Sequence, residues 1–273
     1  KVKAFAKINL SLDITGKRAD GYHLLKMIMQ SVSLHDIITL TNTSHNNEIT
    51  ISCSDSNIPC DKHNITYKAA ESFFQYTGIS NPGIEINIEK HIPSEAGLAG
   101  GSADGAAVIA ALNSLFGTGL SEEQMCCIGL KTGADIPFCL TGGTMLVEGI
   151  GDNLKRLPDL KSCFILLAEP SWGISTKEAY CKFDSKAEYT HPDVYGMADA
   201  IKAGDNSKMS TFISNIFEQT DNFEPVNRLK ETMNSCGALG CAMTGSGSAV
   251  FGIFDVESLC HECSKKIGPE IWN

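Results

Sequence analysis

The stretch from Ile92 to Asn113 reads IPSEAGLAGGSADGAAVIAALN and is dominated by glycine and alanine. It follows IEINIEK, residues 84–90, whose alternating isoleucines predict a half-buried strand. It leads into an apolar, alanine-rich run at residues 106–116 that predicts a helix. The first amides of a helix lack internal partners and carry the positive end of its dipole, so bare backbone at this point suits a phosphate group. The alternative is a small-residue helix that packs tightly on a sheet.

Size and charge limit the classes of function. With 273 residues the chain can form a generous core, or two lobes that share a cleft. The net charge of −10 argues against a nucleic-acid partner, because such binding needs lysine and arginine to displace counterions. No apolar stretch has the length of a membrane span and no signal-peptide pattern is evident. We therefore expect a cytoplasmic protein with no membrane partner.

The cysteines favour free thiols. There are eleven, an odd number, and Cys126 and Cys127 are adjacent. Disulfide frameworks are typical of small secreted chains, so we expect reduced thiols. The segment CHEC, residues 260–263, could be half of a zinc site, but no matching second half follows it. We therefore predict no metal-ligating residues.

The order of predicted elements indicates an α+β fold. Strand patterns dominate the first half, and a helical segment runs from about residue 193 to residue 235. Helix signals flank NITYKAAESFFQYTG, which stops at Gly78, and LSEEQMCCIGL, where Ser121 and Gln124 are spaced as a capping box. The pattern predicts two lobes, residues 1–155 and 156–273, with the active site in the cleft between them.

Four separated motifs resemble the GHMP kinases. They are P-x-x-x-G-L-x-G-G-S-A at residues 93–103, AKINLSL at 6–12, GADIPFCLTGG at 133–143 and TGSGSAVFGIF at 244–254. Within that superfamily, KINLSLDITGKRADGYHLL at residues 7–25 is similar to the members that phosphorylate the 2-hydroxyl of 4-diphosphocytidyl-2-C-methyl-D-erythritol in the non-mevalonate route to isoprenoids. The resemblance covers residues 2–255 and implies a two-lobed kinase fold, with an N-terminal ATP-binding domain and a C-terminal domain.

The resemblance implies roles for individual residues. The catalytic pair would be Lys7 and Asp135. Residues implied to bind ATP are Asn64, Lys90, Pro93, Gly97, Leu98, Ala99, Gly100, Gly101, Ser102 and Ala103. Residues implied to bind the cytidine diphosphate conjugate are Asn9, Tyr22, His23, Thr176, Tyr180 and Gly245. The implied cosubstrate is ATP with Mg²⁺, the implied partner is a small molecule, and the expected state is a monomer or weak homodimer.

The chemistry agrees with these roles on general grounds. Phosphoryl transfer passes through a loose transition state, so the protein mainly positions reactants and neutralises charge. Asp135 would accept the proton of the acceptor hydroxyl, and Lys7 would keep that carboxylate ionised.

The chain departs from the family pattern at Ala103, where a second serine is common, and at Gly105 and Met29. The charge of Glu95 is unfavourable near a triphosphate unless it points outward or towards Mg²⁺.

Plainer alternatives remain open for each residue. Lys7 could form a surface ion pair at a strand end, Asp135 could cap a turn, and Tyr22 with His23 could be a turn followed by core packing. Two rival functions also remain. One is a GHMP kinase acting on homoserine or mevalonate, and the other is a non-catalytic binding protein on the same fold.

Overall fold

Two long strands open the chain, β1 at Val2–Lys17 and β2 at His23–Asn42. The structure is a computed structural model that describes residues 1–43, 47–170 and 175–268. Its contacts divide the chain into two compact units. The first comprises Lys1–Lys7, Ser31–Ser94 and Ala99–Gly142, and the second comprises Ile8–Gln30, Glu95–Leu98 and Gly143–Asn273. β1 and β2 therefore each contribute residues to both units.

In the first unit, helices pack beside a short mixed sheet. Residues 37–42 of β2 pair antiparallel with β4 at Ile84–Glu89, and β3 at Ile49–Cys53 pairs parallel with β4. The helices are α1 at Ile65–Thr77, α2 at Gly100–Phe116, α3 at Glu122–Leu130 and α4 at Ile136–Thr141. Helix α2 packs against both α1 and α4.

Local sequence signals explain these helix ends. Asn64 precedes α1 and its side chain accepts a hydrogen bond from the Thr66 amide, while Gly78 ends the helix in the left-handed conformation. Ser121 and Gln124 form the reciprocal capping box of α3. Both predictions are confirmed.

The second unit contains strands from two sheets. Residues 25–30 of β2 pair antiparallel with β5 at Thr144–Gly149, β5 pairs with β6 at Asn153–Arg156, and β8 at Ser214–Asn215 joins β1. A separate antiparallel sheet has the order β7, β10, β9, at Phe164–Ala168, Val250–Phe254 and Gly240–Met243. The helices are α5 at Thr176–Ser185, α6 at Val194–Lys202, α7 at Asn206–Ser210, α8 at Glu224–Ser235 and α9 at Glu257–Ile267, with a 3-10 turn at Ile216–Gln219.

The predicted α+β class is confirmed, and the differences concern segments rather than class. Helix α2 begins at Gly100, earlier than the alanine-rich run alone predicts, because Ala99 adopts the left-handed conformation that starts it. The pattern also missed α4, whose six residues are too short for a periodic signal. The predicted boundary between residues 155 and 156, and the predicted cleft, stay predictions.

Each unit has its own apolar core. The largest fully buried side chains include Phe73 and Phe138 in the first unit and Phe217, Phe251 and Phe254 in the second. Within residues 1–43, 47–170 and 175–268, no helix combines the length and the hydropathy needed to cross a bilayer.

Candidate active site

The N-terminus of α2 has the features of a phosphate site. Ala99 occupies the cap position at φ 58° and provides no side-chain cap, and the first turn carries no acidic residue. Gly101 is exposed and Ser102 is half-buried, so these backbone amides are accessible to a ligand. The helix is also packed closely, because a Cβ at Gly105 would lie 3.1 Å from Cδ1 of Ile136. The tight packing and the accessible first turn occur in the same helix. A phosphate site and a closely packed small-residue helix are therefore compatible.

The glycines before α2 serve a different purpose from those within it. Gly97 has φ +76°, and a Cβ there would come within 2.2 Å of the Thr244 carbonyl oxygen. Gly245 has φ +59°, and a Cβ there would come within 3.0 Å of Gly97. The segment Glu95–Leu98 thus lies directly against the TGSGS loop within the second unit. The two glycine-rich segments, far apart in sequence, meet backbone to backbone.

Glu95 is the charged residue of this loop, and it lies between two buried apolar residues. Glu95 adopts a left-handed conformation at φ 59° and its side chain is exposed, so its charge is hydrated. Pro93 and Leu98 are buried and anchor the loop on either side of it.

Lys7 and Asp135 interact electrostatically within the first unit. Lys7 is only 4% exposed, so it is not the surface lysine of the plainer alternative. Burial lowers the pKa of Lys7, and the attraction of Asp135 partly offsets this effect. Asp135 occupies the cap position of α4 but makes no side-chain cap bond, and it is half-buried. A partly hydrated carboxylate facing a buried ammonium is an arrangement suited to proton transfer.

Cys139 also interacts with the Lys7 ammonium. Burial, together with the nearby Asp135 charge, raises the pKa of the Cys139 thiol far above its usual range. The thiol therefore stays protonated and does not compete with Asp135 as a base.

Lys90 belongs to a buried cluster with two carboxylates. Its ammonium donates to Asp36 and, at 2.9 Å, to Oδ2 of Asp104 in α2. The other oxygen of Asp36 accepts the amides of His91 and Ile92, which fixes the chain just before the glycine-rich loop. Two carboxylates share one ammonium in this cluster. Burial, opposed by Lys90, raises the pKa of Asp104 to about 8, and the two carboxylates raise the pKa of Lys90 despite its burial.

The glycine at position 100 accommodates this cluster. A Cβ there would lie 3.0 Å from Cγ2 of Ile92 and 3.2 Å from Nζ of Lys90. Lys90 therefore lies directly beside the first turn of α2, where the sequence predicts the nucleotide. Asn64 instead caps α1, and its amide group donates to the Pro59 carbonyl oxygen at 2.6 Å. The nucleotide roles of Lys90 and Asn64 stay predictions.

Asn9 ties β1 to the TGSGS loop. Its backbone N–H donates to Oγ1 of Thr244 at 2.9 Å, and its side-chain oxygen accepts from the backbone N–H of Gly245 at 3.0 Å. Its side-chain nitrogen donates to Sδ of Met27 at 3.2 Å. The buried Asn9 therefore positions this loop, and the role predicted for it with substrate stays a prediction.

Two of the residues predicted to bind the cytidine group, His23 and Tyr180, contact each other. The His23 ring stacks on Tyr180 with centroids 4.6 Å apart, and its Nε2 lies 2.7 Å from Oδ1 of Asp184. Tyr22 is 64% exposed at the turn that precedes β2, so its ring is accessible. Thr176 lies at the start of the same helix as Tyr180, with its hydroxyl 3.0 Å from that of Ser246.

The cysteines form no disulfides in the structure. All eleven cysteines lie in described parts of the chain and are unpaired by disulfides. The described residues contain no cluster of three or more His, Cys, Asp or Glu side chains arranged to hold a metal ion. Cys260, His261 and Cys263 lie in α9.

Several site residues were missed by the sequence reasoning. Asp36 and Asp104 hold Lys90, and Asp184 holds His23. These contacts join residues that are apart in sequence, and acidic residues without a motif give no signal of their partners. A single sequence therefore offers no way to find them.

Comparison with known proteins agrees with this architecture. Residues 64–143 match the GHMP kinases N terminal domain, and residues 197–267 match the GHMP kinases C terminal domain. A crystal structure of 4-(cytidine 5'-diphospho)-2C-methyl-D-erythritol kinase superimposes with a TM-score of 0.81 at 26% identity and covers 99% of this chain and 96% of that chain. A mevalonate kinase from Methanococcus jannaschii, at 17% identity and a TM-score of 0.74, shares the fold.

Curated relatives cover nearly the full length. The chain is 41% identical over 268 residues to the 4-diphosphocytidyl-2-C-methyl-D-erythritol kinase of Clostridium botulinum, covering 97% of this chain and 95% of that protein. It is 44% identical over 256 residues to the protein of the same name from Caldicellulosiruptor bescii, covering 93% and 89%. The chain therefore belongs to the GHMP kinases and, within them, to the family of the 4-diphosphocytidyl-2-C-methyl-D-erythritol kinases.

Proposed function

We propose that this protein transfers the γ-phosphoryl group of ATP to the 2-hydroxyl of 4-diphosphocytidyl-2-C-methyl-D-erythritol. We infer the substrate from the names of its relatives. The observation that carries the proposal is the buried Lys7 ammonium paired electrostatically with the half-buried Asp135 carboxylate. That pair lies in the same unit as the accessible first turn of α2, so one unit holds both a candidate base and a candidate phosphate site.

Asp135 acts as the base in this proposal. The acceptor hydroxyl loses its proton as its oxygen bonds to phosphorus, and the carboxylate accepts that proton late in the transfer. Lys7 stabilises the charge that develops on the transferring group. The neutral Cys139 thiol leaves Asp135 as the basic group of this cluster.

The glycine-rich segment holds the phosphates. Amides of Gly100, Gly101 and Ser102 at the uncapped end of α2 would donate to phosphate oxygens, and the helix dipole favours their charge. The described residues contain no carboxylate cluster arranged for a metal ion. Mg²⁺ prefers oxygen ligands and keeps several waters, so the ion would be held mainly by ATP phosphates and water. When bound, Mg²⁺ supplies neutralisation of phosphate charge.

Aromatic residues of the second unit bind the base of the acceptor. Tyr22 presents an accessible ring, and His23 presents the edge of an imidazole that is already fixed by Tyr180 and Asp184. Stacking and edge contacts of this kind suit a flat base better than a small aliphatic acceptor. We further propose a monomer or weak homodimer that works in the cytoplasm, where ATP is available.

The test measures ADP release with ATP and Mg²⁺ and three acceptors side by side: 4-diphosphocytidyl-2-C-methyl-D-erythritol, mevalonate and homoserine. We expect turnover with the cytidine compound alone. Turnover with mevalonate or homoserine would keep the kinase and overturn the acceptor. Absence of turnover with all three would favour a non-catalytic binding protein on this fold.

A further inference from the structure

The side chain of Asn215 is buried beside the TGSGS loop, residues 244–248, and both lie in the second unit. Asn215 ends β8, which pairs with β1, and is 2% exposed. Its Nδ2 donates to the carbonyl oxygens of Met243 and Gly245, both at 2.8 Å, and its Oδ1 accepts from the backbone N–H of Phe217 at 3.0 Å. An asparagine amide has two N–H donors, so both are used on the backbone at the start of this loop.

Glu218 ties the same stretch of backbone from the following turn. Its Oε1 accepts from the backbone N–H of Met243 at 2.7 Å, and its Oε2 contacts the Lys230 ammonium of α8. Asn215 and Glu218 belong to one short segment, formed by β8 and the 3-10 turn at Ile216–Gln219. Met243 therefore has both its N–H and its carbonyl oxygen bonded to this segment, which fixes the start of the TGSGS loop.

The TGSGS loop in turn supports the segment Glu95–Leu98, which belongs to the same unit. The loop is closed at its base, because the Thr244 N–H donates to the Ala249 carbonyl oxygen at 2.9 Å. The Ala249 N–H donates to the carbonyl oxygen of Ala96 at 3.3 Å, and the Thr244 carbonyl leaves no room for a side chain at Gly97. The position of the loop therefore sets the position of this segment.

We infer that Asn215 is a positioning residue for the nucleotide, because it fixes the loop on which the segment Glu95–Leu98 rests. That segment runs directly into Ala99, which starts α2 in the left-handed conformation. The inference rests on the proposed function, in which the first turn of α2 binds the phosphates of ATP. Backbone donors bind an anion best when they are held in place beforehand, since ordering them on binding costs free energy. The three hydrogen bonds of Asn215 go to backbone groups, so it acts through the chain.

The variant Asn215→Asp removes the two donors with little change in shape. The carboxylate can still accept a hydrogen bond, but the carbonyl oxygens of Met243 and Gly245 lose their partners. Titration calorimetry with ADP and Mg²⁺ measures nucleotide affinity without an acceptor. We expect the Kd for ADP and the KM for ATP to rise about tenfold or more. At saturating ATP, kcat should fall less than about threefold, because Lys7 and Asp135 belong to the other unit.

Asn113→Asp is the matched control. Asn113 lies in the last turn of α2, where its Nδ2 donates to the Leu120 carbonyl oxygen at 3.1 Å and its Oδ1 accepts from the Leu120 N–H at 2.9 Å. The control thus removes side-chain donors that hold backbone, but at the opposite end of α2 from the glycine-rich segment. It should keep the wild-type Kd for ADP. A Kd for Asn215→Asp within about threefold of the wild type, or an equal rise in the control, would overturn the inference.

Hydrogen exchange in the wild-type protein provides a test even if Asn215→Asp fails to fold. By linkage, a ligand that orders the first turn of α2 also orders the segments that support it. We expect ADP with Mg²⁺ to slow exchange of the backbone N–H groups of residues 243–249 about fivefold or more, with residues 257–267 of α9 unchanged as an internal control. Unchanged exchange in residues 243–249 at saturating ADP would overturn the inference while turnover with the cytidine compound upheld the proposed function. Absence of ADP binding by the wild type would overturn both.

Discussion

At the scale of single residues, the proposed chemistry depends on one carboxylate. Asp135 is half-buried and does not cap α4, so its side chain serves no helix end. We expect Asp135→Asn to lower kcat by about 10²-fold or more because general-base catalysis has that magnitude. Nucleotide affinity, measured by titration calorimetry with ADP, should stay near the wild-type value. Wild-type turnover by the variant would remove Asp135 from the mechanism. Asp199→Asn, which removes an exposed carboxylate paired with Lys202, serves as the control for a lost surface charge.

Replacing Lys7 should lower activity without lowering stability at neutral pH. Its pKa is lowered because burial outweighs the attraction of Asp135, so protonated Lys7 costs folding free energy. The unfolded state binds the proton more tightly, and wild-type stability should rise as pH climbs from the lowered pKa towards the ordinary value of 10.5. We expect Lys7→Met to lose this alkaline rise and to lower kcat by about 10²-fold.

The same variant should retain its stability at neutral pH. Asp135 is half-buried and can be hydrated after its partner is removed, so the free energy of unfolding at pH 7 should stay within about 1 kcal/mol of wild type or rise. Urea denaturation across pH 7 to 10 checks this. A loss of stability at pH 7 above about 2 kcal/mol would show that the ammonium is a net stabiliser.

The raised pKa of Asp104 should make the free energy of unfolding fall with rising pH, the opposite of the effect expected for Lys7. The pKa of Asp104 in the folded protein is raised to about 8, so the folded state binds the proton more tightly than the unfolded chain. This contribution to stability is complete below the unfolded pKa near 4 and is lost as pH rises towards 8. Asp104→Asn lacks the titration, so its unfolding free energy should gain on the wild type by at least about 1 kcal/mol between pH 5 and pH 8. A difference between the two proteins that does not vary with pH would contradict the raised pKa.

Residue identities and residue environments differ in how far the sequence predicts them. Motif resemblance selected Lys7, Asp135 and His23 without reference to their surroundings. Burial of Lys7 in β1 and the carboxylate beside His23 required the fold, because each depends on segments brought together from distant parts of the chain.

At the scale of elements, the contact between the two glycine-rich loops gives a test of packing. Gly97 combines φ +76° with a backbone oxygen 2.2 Å from the position of a Cβ, whereas Gly117 ends α2 at φ +59° with open space around it. We expect Gly117→Ala to cost about 1 kcal/mol from the backbone conformation alone. Gly97→Ala should cost about 3 kcal/mol or more, because the clash with the Thr244 carbonyl adds to that strain.

Thermal and urea unfolding of the two variants measure this difference. Equal losses in both would mean that the loops move apart at little cost, and the close approach would then carry no stability. A loss in Gly97→Ala that exceeds the loss in Gly117→Ala by about 2 kcal/mol or more would locate the stabilisation in the loop contact.

Elements with a strong local signal were predictable, and short ones were not. The caps of α1 and α3 fix those helices from a few adjacent residues, since each cap is a local hydrogen bond. Helix α4 and strand β8 are too brief for periodicity, and they form because tertiary contacts hold them. The start of α2 was uncertain for a related reason, because its first turn is made of glycines with low helix propensity.

At the scale of the whole molecule, the class of fold followed from the sequence, whereas the predicted division after residue 155 stays a prediction. The two units are interleaved along the chain, with β1 and β2 and the glycine-rich segment each shared between them. Such an arrangement leaves no change of composition at a boundary, so a linear reading can only propose a single division near residue 155. Four motifs in the right order identified the family, because together they are far more specific than any one of them.

The identity of the product tests the central claim most directly. The protein is incubated with ATP, Mg²⁺ and 4-diphosphocytidyl-2-C-methyl-D-erythritol, and the product is examined by phosphorus-31 and carbon-13 NMR. We predict one new phosphomonoester, coupled to the carbon that bears the 2-hydroxyl, with the diphosphate bridge intact and one ADP formed per product. A phosphomonoester on another hydroxyl, or ADP formed without any phosphomonoester, would contradict it.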